Sequence, residues 1–347
     1  MSDRIGMAAD VGASALRVGW FLGVNWLMER EAARHGASRS YKPTRPTPSR
    51  AELLQDLRAL ILADGQAVRD GLYPPIEMRA GMAAEHLGRL RSMLRDLPTT
   101  IERREVNDTE SARSAVDEAE GLPEYFTQDF HFQSGGYLTA ESARLYDVQV
   151  ETLFYGSAIL MRRAVLSAVC RAVQGHDQRR LSLVDVACGT GRLLREIRRA
   201  LPAIRLTGVD LSQAYLDEAR AHLGRLRAAQ LLAANAEELP FADASQDIAT
   251  CVFLYHELPP EVRRRVTSEI ARVLKPGGTL VFMDSLQMGD RPDWDGLLEA
   301  FPVRFHEPYY RHYTIDDIDS QFREAGLQPT ETRLAFLSKV VVCRKAA

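Results

Sequence analysis

A short segment near the end of the chain carries an unusual density of side chains that can exchange protons or bind ligands. FHEPYYRHY, residues 305–313, holds His306, Glu307 and His312 among four aromatic residues. Imidazole and carboxylate groups are the common general acids and bases of enzymes. The segment is therefore a candidate for catalysis, for metal binding or for the wall of a binding pocket. We expect His312 to lie at the surface.

A second pair of such side chains, His256 and Glu257, lies in FLYHELPP, residues 253–260. A histidine beside a carboxylate suits general-base catalysis, because the carboxylate can orient the imidazole ring. We predict His256 as the base, with Glu257 or Glu307 orienting it, and His306 as the second candidate. The structural alternative is that Glu257 caps the following helix or pairs with a neighbouring arginine.

The same side chains could also supply metal ligands. HELPP differs from the zinc-binding HExxH helix, and its prolines prevent a helix at that point. No ligand pair stands at the i, i+4 spacing of a helix, so the sequence predicts no metal. The possible donors weighed are His256, Glu257, Asp284, His306 and Glu307.

A glycine-rich turn between an apolar run and a helical pattern marks a ligand site. In LVDVACGTGRLL, residues 183–194, the apolar run leads into Gly189, Thr190 and Gly191. Glycines at a strand-to-helix turn let the backbone approach a ligand closely, and free N–H groups at the helix start favour a polar or anionic group. A dinucleotide fingerprint would carry a third glycine where Leu194 stands, which disfavours an NAD site.

Five motifs in the second half resemble those of class I S-adenosylmethionine (SAM)-dependent methyltransferases, in particular ubiquinone/menaquinone C-methyltransferases and related small-molecule enzymes. The resemblance covers roughly residues 180–347. One departure is Ala187, which stands where the family usually has its first glycine. In chain order the motifs are VDVACGTG (184–191), GVDLS (208–212), ANAEELPF (234–241), DIATCVFLYHEL (247–258) and RVLKPGGTLVFMD (272–284).

The resemblance implies SAM as the cofactor and gives roles to particular residues. Asp210, at the end of the second predicted strand, can accept hydrogen bonds from the ribose hydroxyls. Asn235, or the backbone beside it, reads adenine. Asp185 helps to position the methionine amino group, or it only braces the glycine loop. The residues implied for the cofactor are Asp185, Ala187, Gly189, Thr190, Gly191, Asp210, Leu211, Asn235, Ala236, Glu237 and Phe253.

Aromatic residues just before this region are candidates for covering the cofactor. Tyr137 lies in FHFQSGGYL, residues 130–138, and Tyr146 follows it. The two glycines of the segment permit a mobile or tightly turned backbone. Two roles are open for the tyrosine rings: they close over SAM as part of a lid, or they seal two parts of the chain together.

The hydrophobic pattern divides the chain into a helical half, 1–175, and a half that alternates strands with helices, 176–347. Such alternation indicates a parallel sheet with helices on both faces. Only Ser338 and its neighbours separate the last two strands, which requires an antiparallel hairpin. The predicted strands are 181–187, 205–210, 229–235, 247–255, 278–284, 329–337 and 339–345. The predicted helices between them are 190–200, 212–223, 260–274 and 314–325.

The predicted fold class is therefore α/β. It is a doubly wound, mostly parallel seven-stranded sheet with an antiparallel C-terminal hairpin, which is the Rossmann-like methyltransferase fold, preceded by an α-helical N-terminal domain. We expect the N-terminal region to act as a lid, as a scaffold for a homodimer, or as both.

The N-terminal half contains several helical patterns. Residues 15–31 predict either a core helix or a dimer-forming one. Ser49 and Glu52 form a capping-box pattern that begins the next helix. Further helices are expected near 77–96, after a cap at Thr139, and over 158–173. The apolar face expected on the first helix consists of Leu16, Trp20, Val24 and Leu27.

Composition limits the partners. The chain has 347 residues, 46% of them hydrophobic, and a net charge of −3, so neither nucleic acid nor an anionic membrane is an expected partner. The four cysteines form no CxxC pair, which favours reduced thiols. The longest apolar run near the start is too short to span a bilayer. We expect a soluble cytoplasmic protein without an integral membrane segment.

Together these observations predict methyl transfer from SAM to a small, apolar or aromatic acceptor, because aromatic residues crowd the predicted rim of the sheet. C-methylation is favoured, by the resemblance alone. The alternative is O-methylation of a hydroxyl or carboxyl compound. Two other classes stay open, namely an NAD-dependent oxidoreductase and a SAM-binding protein without catalysis.

Overall fold

The computed structural model describes residues 2–34, 41–77, 87–95, 98, 101–102, 121–128 and 136–347. The predicted helix near 77–96 is described only over 87–95, which is helical. Most of the aromatic segment 130–138 lies outside the described residues.

A seven-stranded sheet forms the centre of the second half, and it confirms the predicted fold class. The strand order is β3-β2-β1-β4-β5-β7-β6. All neighbouring strands are parallel except β7, which pairs antiparallel with both β5 and β6. The chain order reverses between β1 and β4, and ligands of open α/β sheets bind beside such a reversal. The strands are β1 (Ser182–Val186), β2 (Arg205–Asp210), β3 (Gln230–Ala233), β4 (Gln246–Val252), β5 (Leu274–Ser285), β6 (Leu327–Ala335) and β7 (Ser338–Lys345).

The central strands of the sheet are buried on both faces, whereas the edge strands β3 and β6 are largely exposed. Successive side chains along a strand point to opposite sides of the sheet. On β1, Leu183 belongs to one apolar cluster and Val184 to the other. The alternation repeats on β5, where Val281 and Phe282 divide in the same way. Buried strands of this kind read as continuous apolar runs, which is why the sequence reveals them.

Besides the helical segment 87–95, ten helices longer than one turn are described, four of them before the sheet. The N-terminal helices are α1 (Ser2–Arg34), α2 (Arg50–Arg69), α3 (Ala140–Leu153) and α4 (Ala158–Val173). The helices of the second half are α5 (Arg192–Ala200), α6 (Gln213–Leu223), α7 (Pro260–Val273), α8 (Asp295–Arg304), α9 (Tyr310–Ile315) and α10 (Ile318–Glu324).

Helix caps explain where several of these helices begin. The Ser49 side chain accepts from the Glu52 N–H while the Glu52 carboxylate accepts from the Ser49 N–H, so the predicted capping box of α2 is confirmed. Thr139 caps α3. The single helix predicted at 314–325 is wrong: Asp317 accepts from the Ser320 N–H at 2.9 Å and starts a new helix, which divides the segment into α9 and α10.

Of the two roles left open for the apolar face of α1, burial of the whole face in the core is not observed. Val24 is buried, but Leu16 and Trp20 are 74% and 43% exposed, and Leu27 is exposed too. Among the side chains of α1 that the structure describes, the buried apolar ones are Val18, Phe21 and Val24. A continuous apolar stripe cannot tell which edge of a helix faces the core, because the partner helices set the rotation.

A buried ionic network ties α1, α2 and α5 to α4. The guanidinium of Arg163 donates to both Asp64 oxygens, at 2.8 and 2.9 Å, and to Glu196 at 2.8 Å. Tyr73 also donates to Asp64, at 2.9 Å, and Asp10 stands 4.0 Å from Arg163. The Arg163 side chain has no exposed surface. A charge buried this deeply is tolerated only because it is paired on several sides.

No single helix among the described residues is long and apolar enough to cross a membrane. Helices α3 and α4 are long and apolar enough only when taken together, and the chain bends by 92° between them. The cytoplasmic location stays a prediction, as does the boundary between residues 175 and 176.

Candidate active site

Backbone N–H groups of the glycine loop between β1 and α5 form hydrogen bonds to β2 that fix the shape of the loop. The N–H of Gly189 donates to Asp210 at 2.8 Å, and the N–H of Cys188 donates to the carbonyl of Val209 at 2.9 Å. Gly191 caps α5 with φ of 72°, and a Cβ there would lie 2.8 Å from the Cβ of Ala219. Only glycine satisfies both the positive φ and the close helix contact.

Ala187, which stands where the methyltransferase family usually has its first glycine, has a positive φ. Its φ is 55°, a left-handed conformation that costs a residue with a Cβ roughly 1–2 kcal/mol. Phe253, at the end of β4, is held at φ 57°. Two strained residues on one rim are typical of a functional site. The departure from the family pattern therefore keeps the backbone shape and adds strain.

A cleft of about 820 Å³, including its open mouth, lies at the carboxyl ends of the strands. Nine of the residues implied for the cofactor line it, together with Glu257. These nine are Tyr137, Tyr146, Ala187, Gly189, Asp210, Leu211, Asn235, Ala236 and Phe253. Sequence reasoning missed further lining residues, notably Tyr125, Phe126 and Tyr215. Their positions outside the motifs gave no signal.

Asp210 is an acidic residue that lines this cleft, as Glu257 does. Its two oxygens accept the N–H groups of Gly189 and Ser212 at 2.8 and 2.9 Å. Burial raises the pKa of Asp210 to about 6. Each carboxylate oxygen has a second lone pair, so the group can still accept hydroxyl hydrogens from a ligand in the cleft.

Four residues implied for the cofactor lie outside the cleft lining. Asp185 accepts a hydrogen bond from Thr250 at 2.6 Å, and burial raises its pKa to about 7. Glu237 accepts from Tyr125 at 2.7 Å. Thr190 donates its hydroxyl away from the cleft, and Gly191 serves as the cap of α5.

The hydroxyl of Thr190 bonds to the N-terminal half. It donates to Asp147 of α3 at 2.7 Å, and Arg192 donates to the other oxygen of the same carboxylate at 2.8 Å. The ring of His222 lies 3.4 Å from Asp147 and 2.5 Å from the carbonyl of Thr190. These partners hold the pKa of Asp147 below its usual range even though burial works in the opposite direction. Helix α3 is thus fixed directly to the glycine loop.

Three tyrosine rings close one side of the cleft. Tyr137 packs edge-on against Tyr146 and Tyr215, with ring centres 6.1 and 5.6 Å apart. The backbone carbonyl of Tyr137 accepts from Ser212 at 2.8 Å, and its hydroxyl donates to Glu257 at 2.5 Å. The rings therefore both line the cleft and join the two halves of the chain, so neither of the two roles left open excludes the other.

His256 is held by Asp284, which the sequence analysis considered only as a possible metal ligand. Its Nδ1 lies 2.5 Å from Asp284 at the end of β5, and the N–H groups of Tyr255 and His256 donate to the other oxygen of Asp284 at 2.8 and 3.2 Å. Burial favours the neutral ring, but the charge of Asp284 outweighs it and raises the pKa of His256 to about 10. At neutral pH the ring is therefore an imidazolium.

Two further carboxyl groups face this ring. Nε2 of His256 lies 3.7 Å from Glu257, and Glu307 joins them with donor atoms within 4.8 Å of one another. Burial raises the pKa of Glu257 to about 7 against the opposing charge of His256, and it raises that of Glu307 well above the usual range. Such a trio could hold a cation, and tertiary structure assembles it without a local ligand pair. The absence of a metal stays a prediction.

The segment 305–313 forms part of the wall around His256. The rings of Tyr310 and Tyr313 lie 5.9 and 6.3 Å from the imidazole, and Tyr310 shares a 2.6 Å hydrogen bond with Ser285. His306 does not belong to the trio, and partial burial lowers its pKa.

Two other residues near this wall point away from it. His312 lies outside it, 3.1 Å from Arg263, with 49% of its side chain exposed. Tyr255 is fully buried in the core and bonded to Thr267, so it is not part of the wall.

The region 183–278 matches a family model described as a methyltransferase domain. A demethylmenaquinone methyltransferase of Thermotoga maritima is 31% identical over 167 residues, which are 48% of this chain and 68% of that protein. A ubiquinone/menaquinone biosynthesis C-methyltransferase of Methylobacterium nodulans is 32% identical over 47% of this chain and 63% of its own length. An O-methyltransferase of Aspergillus sclerotiorum is 36% identical over 43% of this chain and 55% of its own length.

Among solved structures, a SAM-dependent methyltransferase from Methanosarcina mazei has a TM-score of 0.41 at 20% identity, over 50% of this chain and 96% of that one. With the relatives above, the sheet order and the glycine loop define the class: this chain belongs to the class I SAM-dependent methyltransferases. SAM as the cofactor is confirmed with the family. The chain spans about half to two thirds of the length of the curated relatives named here, so its reaction and acceptor are matters for proposal.

The cleft fits this cofactor. Asp210 has free lone pairs for ribose hydroxyls, and the apolar residues around Asn235 can cover adenine, among them Leu258 and Val266. A Cβ at Gly189 would meet no atom within 4 Å, so the backbone there is open to a ligand.

Replacing Asp210 with alanine is expected to weaken SAM binding by about 10- to 100-fold, because two hydrogen bonds to a charged group are lost. Isothermal titration calorimetry with SAM measures this. Asp217→Ala is the matched control, since Asp217 is an exposed residue of α6 that pairs only with its helical neighbours. Equal affinity in the Asp210 variant and the wild type would remove the ribose role.

Proposed function

We propose that this chain transfers a methyl group from SAM to a carbon of a small, apolar or aromatic acceptor, with Glu257 taking up the proton that the acceptor loses. The observation that carries the proposal is the position of Glu257. It lines the cofactor cleft, and it links Tyr137 on one side to His256 on the other.

SAM supplies an activated methyl group, so the protein needs mainly to align the acceptor and exclude water. Glu257 can accept a proton at neutral pH, because burial raises its pKa to about 7. The hydroxyl of Tyr137 fixes one of its oxygens at 2.5 Å. With SAM bound, the bond between its sulfur and the methyl group would break as the methyl group bonds to the acceptor, S-adenosylhomocysteine would be left, and Glu257 would take up the carbon-bound or hydroxyl hydrogen of the acceptor as a proton.

His256 then has a supporting role that differs from the base predicted from the sequence. With a pKa of about 10 its ring already carries a proton at neutral pH, so it cannot accept another. Its positive charge stabilises the Glu257 carboxylate, and Asp284 fixes the ring. Glu307 shares the site with both, and we propose it as a further contact to the acceptor. His306 is the more peripheral candidate.

The acceptor class is supported by the walls of the cleft. Phe126, Tyr146 and Phe253 line the cleft, and Phe154, which is not itself a lining residue, stacks on Phe253 at 5.7 Å with an interplanar angle of 11°. A flat, apolar molecule suits such walls. Two of the relatives are named for menaquinone or ubiquinone methylation, which favours a carbon acceptor on a quinol-like ring.

O-methylation is the second candidate. The Glu257 carboxylate could equally take the proton of a hydroxyl or carboxyl group, and a relative of similar identity is named as an O-methyltransferase. The non-catalytic SAM-binding alternative would need no such proton acceptor in the cleft.

The proposal is tested by incubating the protein with methyl-labelled SAM and a panel of quinols, phenols and aromatic acids, followed by mass spectrometry of the products. Label on a ring carbon is the expected result. Label on oxygen would favour the second candidate. Tight SAM binding with no label in any compound would overturn transfer and favour a binding protein.

Metal removal gives a separate expected result. Treatment with EDTA is expected to leave the transfer rate unchanged, because a protonated His256 offers no lone pair to a metal and already supplies positive charge beside Glu257 and Glu307. The rate is measured before and after dialysis against chelator. Loss of activity that Mg²⁺, Mn²⁺ or Zn²⁺ restores would establish a metal at this trio.

We also propose that the exposed apolar face of α1 pairs with a second copy of this chain. Leu16, Trp20, Trp26 and Leu27 lie exposed on that helix. A Cβ at Gly19 or Gly23 would meet no atom, so these glycines leave room for another helix. Light scattering decides the point: a monomer at micromolar concentration would contradict the proposal.

A further inference from the structure

Two neighbouring arginines of α4 are both buried, but they differ in their partners. Arg163 is neutralised by Asp64 and Glu196 and donates to the carbonyl of Pro74 at 3.1 Å. Arg162 is only 7% exposed. Its charge has no hydrogen bond or ion pair with any residue that the structure describes, and its guanidinium carbon lies 5.8 Å from the ring centre of Phe253.

An unpaired buried guanidinium is costly, so it is normally found where an anion will join it. A cation over an aromatic ring gains roughly 0.5–2 kcal/mol, which does not offset the loss of water around a full charge. No side-chain nitrogen of Arg162 is sealed from solvent without a partner, so these nitrogens keep access to water. An anionic ligand would therefore supply the negative charge that the Arg162 guanidinium lacks, and the solvent-accessible nitrogens of Arg162 can bind it.

Arg162 is not itself a lining residue of the cofactor cleft, but it stands against a residue that is, Phe253. Phe253 and Tyr146 both line the cleft. The positive charge of Arg162 acts on Tyr146 and also on Asp185 at the end of β1. Asp185 is 2% exposed and accepts a hydrogen bond from Thr250, and it forms no ion pair with Arg162. A buried acid and a buried base thus stand near each other without neutralising each other.

A ligand group that carries both an ammonium and a carboxylate would satisfy both residues. The amino-acid end of SAM is such a group. We propose that Arg162 binds the carboxylate of that end, opposite Asp185, which receives the amino group. The inference rests on the proposed function, in which SAM donates the methyl group, and it assigns a residue that lies outside every motif of the sequence. Helix α4 then contributes directly to cofactor binding from the N-terminal half.

The test compares SAM with decarboxylated SAM, which lacks the carboxylate but keeps the adenosine, the sulfonium and the amine. Calorimetry gives Kd for both ligands with the wild type, Arg162→Met and Arg162→Lys. A charge-assisted contact predicts that the wild type prefers SAM by about 10- to 100-fold. Arg162→Met should weaken SAM binding by a similar factor and leave decarboxylated SAM unchanged. Arg162→Lys should recover part of the difference.

Arg171→Met is the matched control, because Arg171 is an exposed arginine of the same helix. Its Kd values should equal those of the wild type. Thermal unfolding of each variant identifies any change that comes from misfolding, and only variants that unfold cooperatively are titrated.

Three outcomes would overturn the inference. Equal losses for both ligands in Arg162→Met would show that Arg162 only shapes the cleft. Unchanged SAM binding in Arg162→Met, together with a raised KM for a carboxylate-bearing acceptor, would show that Arg162 binds the carboxylate of the acceptor and not that of SAM. Unchanged binding of both ligands would remove the role altogether. Failure of the wild type to bind SAM is a different result, because it would refute the proposed function itself.

Discussion

Glu257→Gln is expected to lower kcat by roughly 10²- to 10⁴-fold, which is the usual contribution of a positioned general base. The amide keeps the size of the side chain and can still accept the hydrogen bond from Tyr137, but it cannot take up a proton. SAM affinity should change little. Steady-state methyl transfer with an acceptor found in the labelling screen measures kcat, and calorimetry measures the affinity.

The pH profile gives a second readout of the same variant. The active form is the carboxylate, so the wild-type rate should rise with pH through about 7, the pKa of Glu257. The positive charge of bound SAM favours the carboxylate, so the rise should shift to lower pH in the loaded enzyme. The variant should lose this rise.

Glu261→Gln serves as the control, because Glu261 is an exposed residue in the first turn of α7. It should keep both the rate and the profile. A Glu257 variant that retains activity within a few-fold would show that the reaction needs no base at this position.

Arg163→Met is expected to lower the free energy of unfolding by about 3–5 kcal/mol, because removing one partner leaves buried carboxylates without compensation. Asp64 and Glu196 would both lose their guanidinium. Urea denaturation at pH 7.5 measures the loss. Arg171→Met on the same helix should stay within about 0.5 kcal/mol of the wild type, as exposed substitutions usually do.

The deficit of Arg163→Met, that is, its loss in the free energy of unfolding relative to the wild type, should also depend on pH. The pKa of Asp64 is already raised to about 6 by burial, against the opposing charge of Arg163. Without that charge its pKa rises further, so protonation of the carboxyl group at lower pH removes more of the cost of burying its charge in the variant than in the wild type. The Met variant should therefore recover part of its stability as pH falls toward 5. A deficit below 1 kcal/mol at every pH would mean that the network stabilises little.

The sheet could be predicted because its signals are local. A strand buried on both faces, such as LVDVA, reads as an apolar run, and Gly189 and Gly191 mark its end. The hairpin of β6 and β7 followed from the short connection around Ser338 alone. Asp210 could be placed because the end of a parallel strand fixes which rim its side chain joins.

The rest depends on contacts between residues far apart in sequence. Thr190 belongs to the glycine motif, yet its hydroxyl bonds to Asp147, 43 positions earlier. His256 has Glu257 beside it in sequence, but the carboxylate on its Nδ1 is Asp284. No pattern within either motif contains these pairings. The sequence did not indicate Arg162 for the same reason. A buried arginine cannot be distinguished from an exposed one on the same helix until its neighbours in the fold are known.

The bond between Asp147 and the glycine loop has a consequence for protein engineering. A truncated chain that begins near residue 176 would lack α3 and leave Thr190, Arg192 and His222 without their shared carboxylate. It would also strip Tyr137 and Tyr146 from the cleft. The half that contains the sheet and the glycine loop, residues 176–347, therefore cannot be exchanged by itself between proteins. A chimera with another methyltransferase would need to carry α3 across together with the sheet.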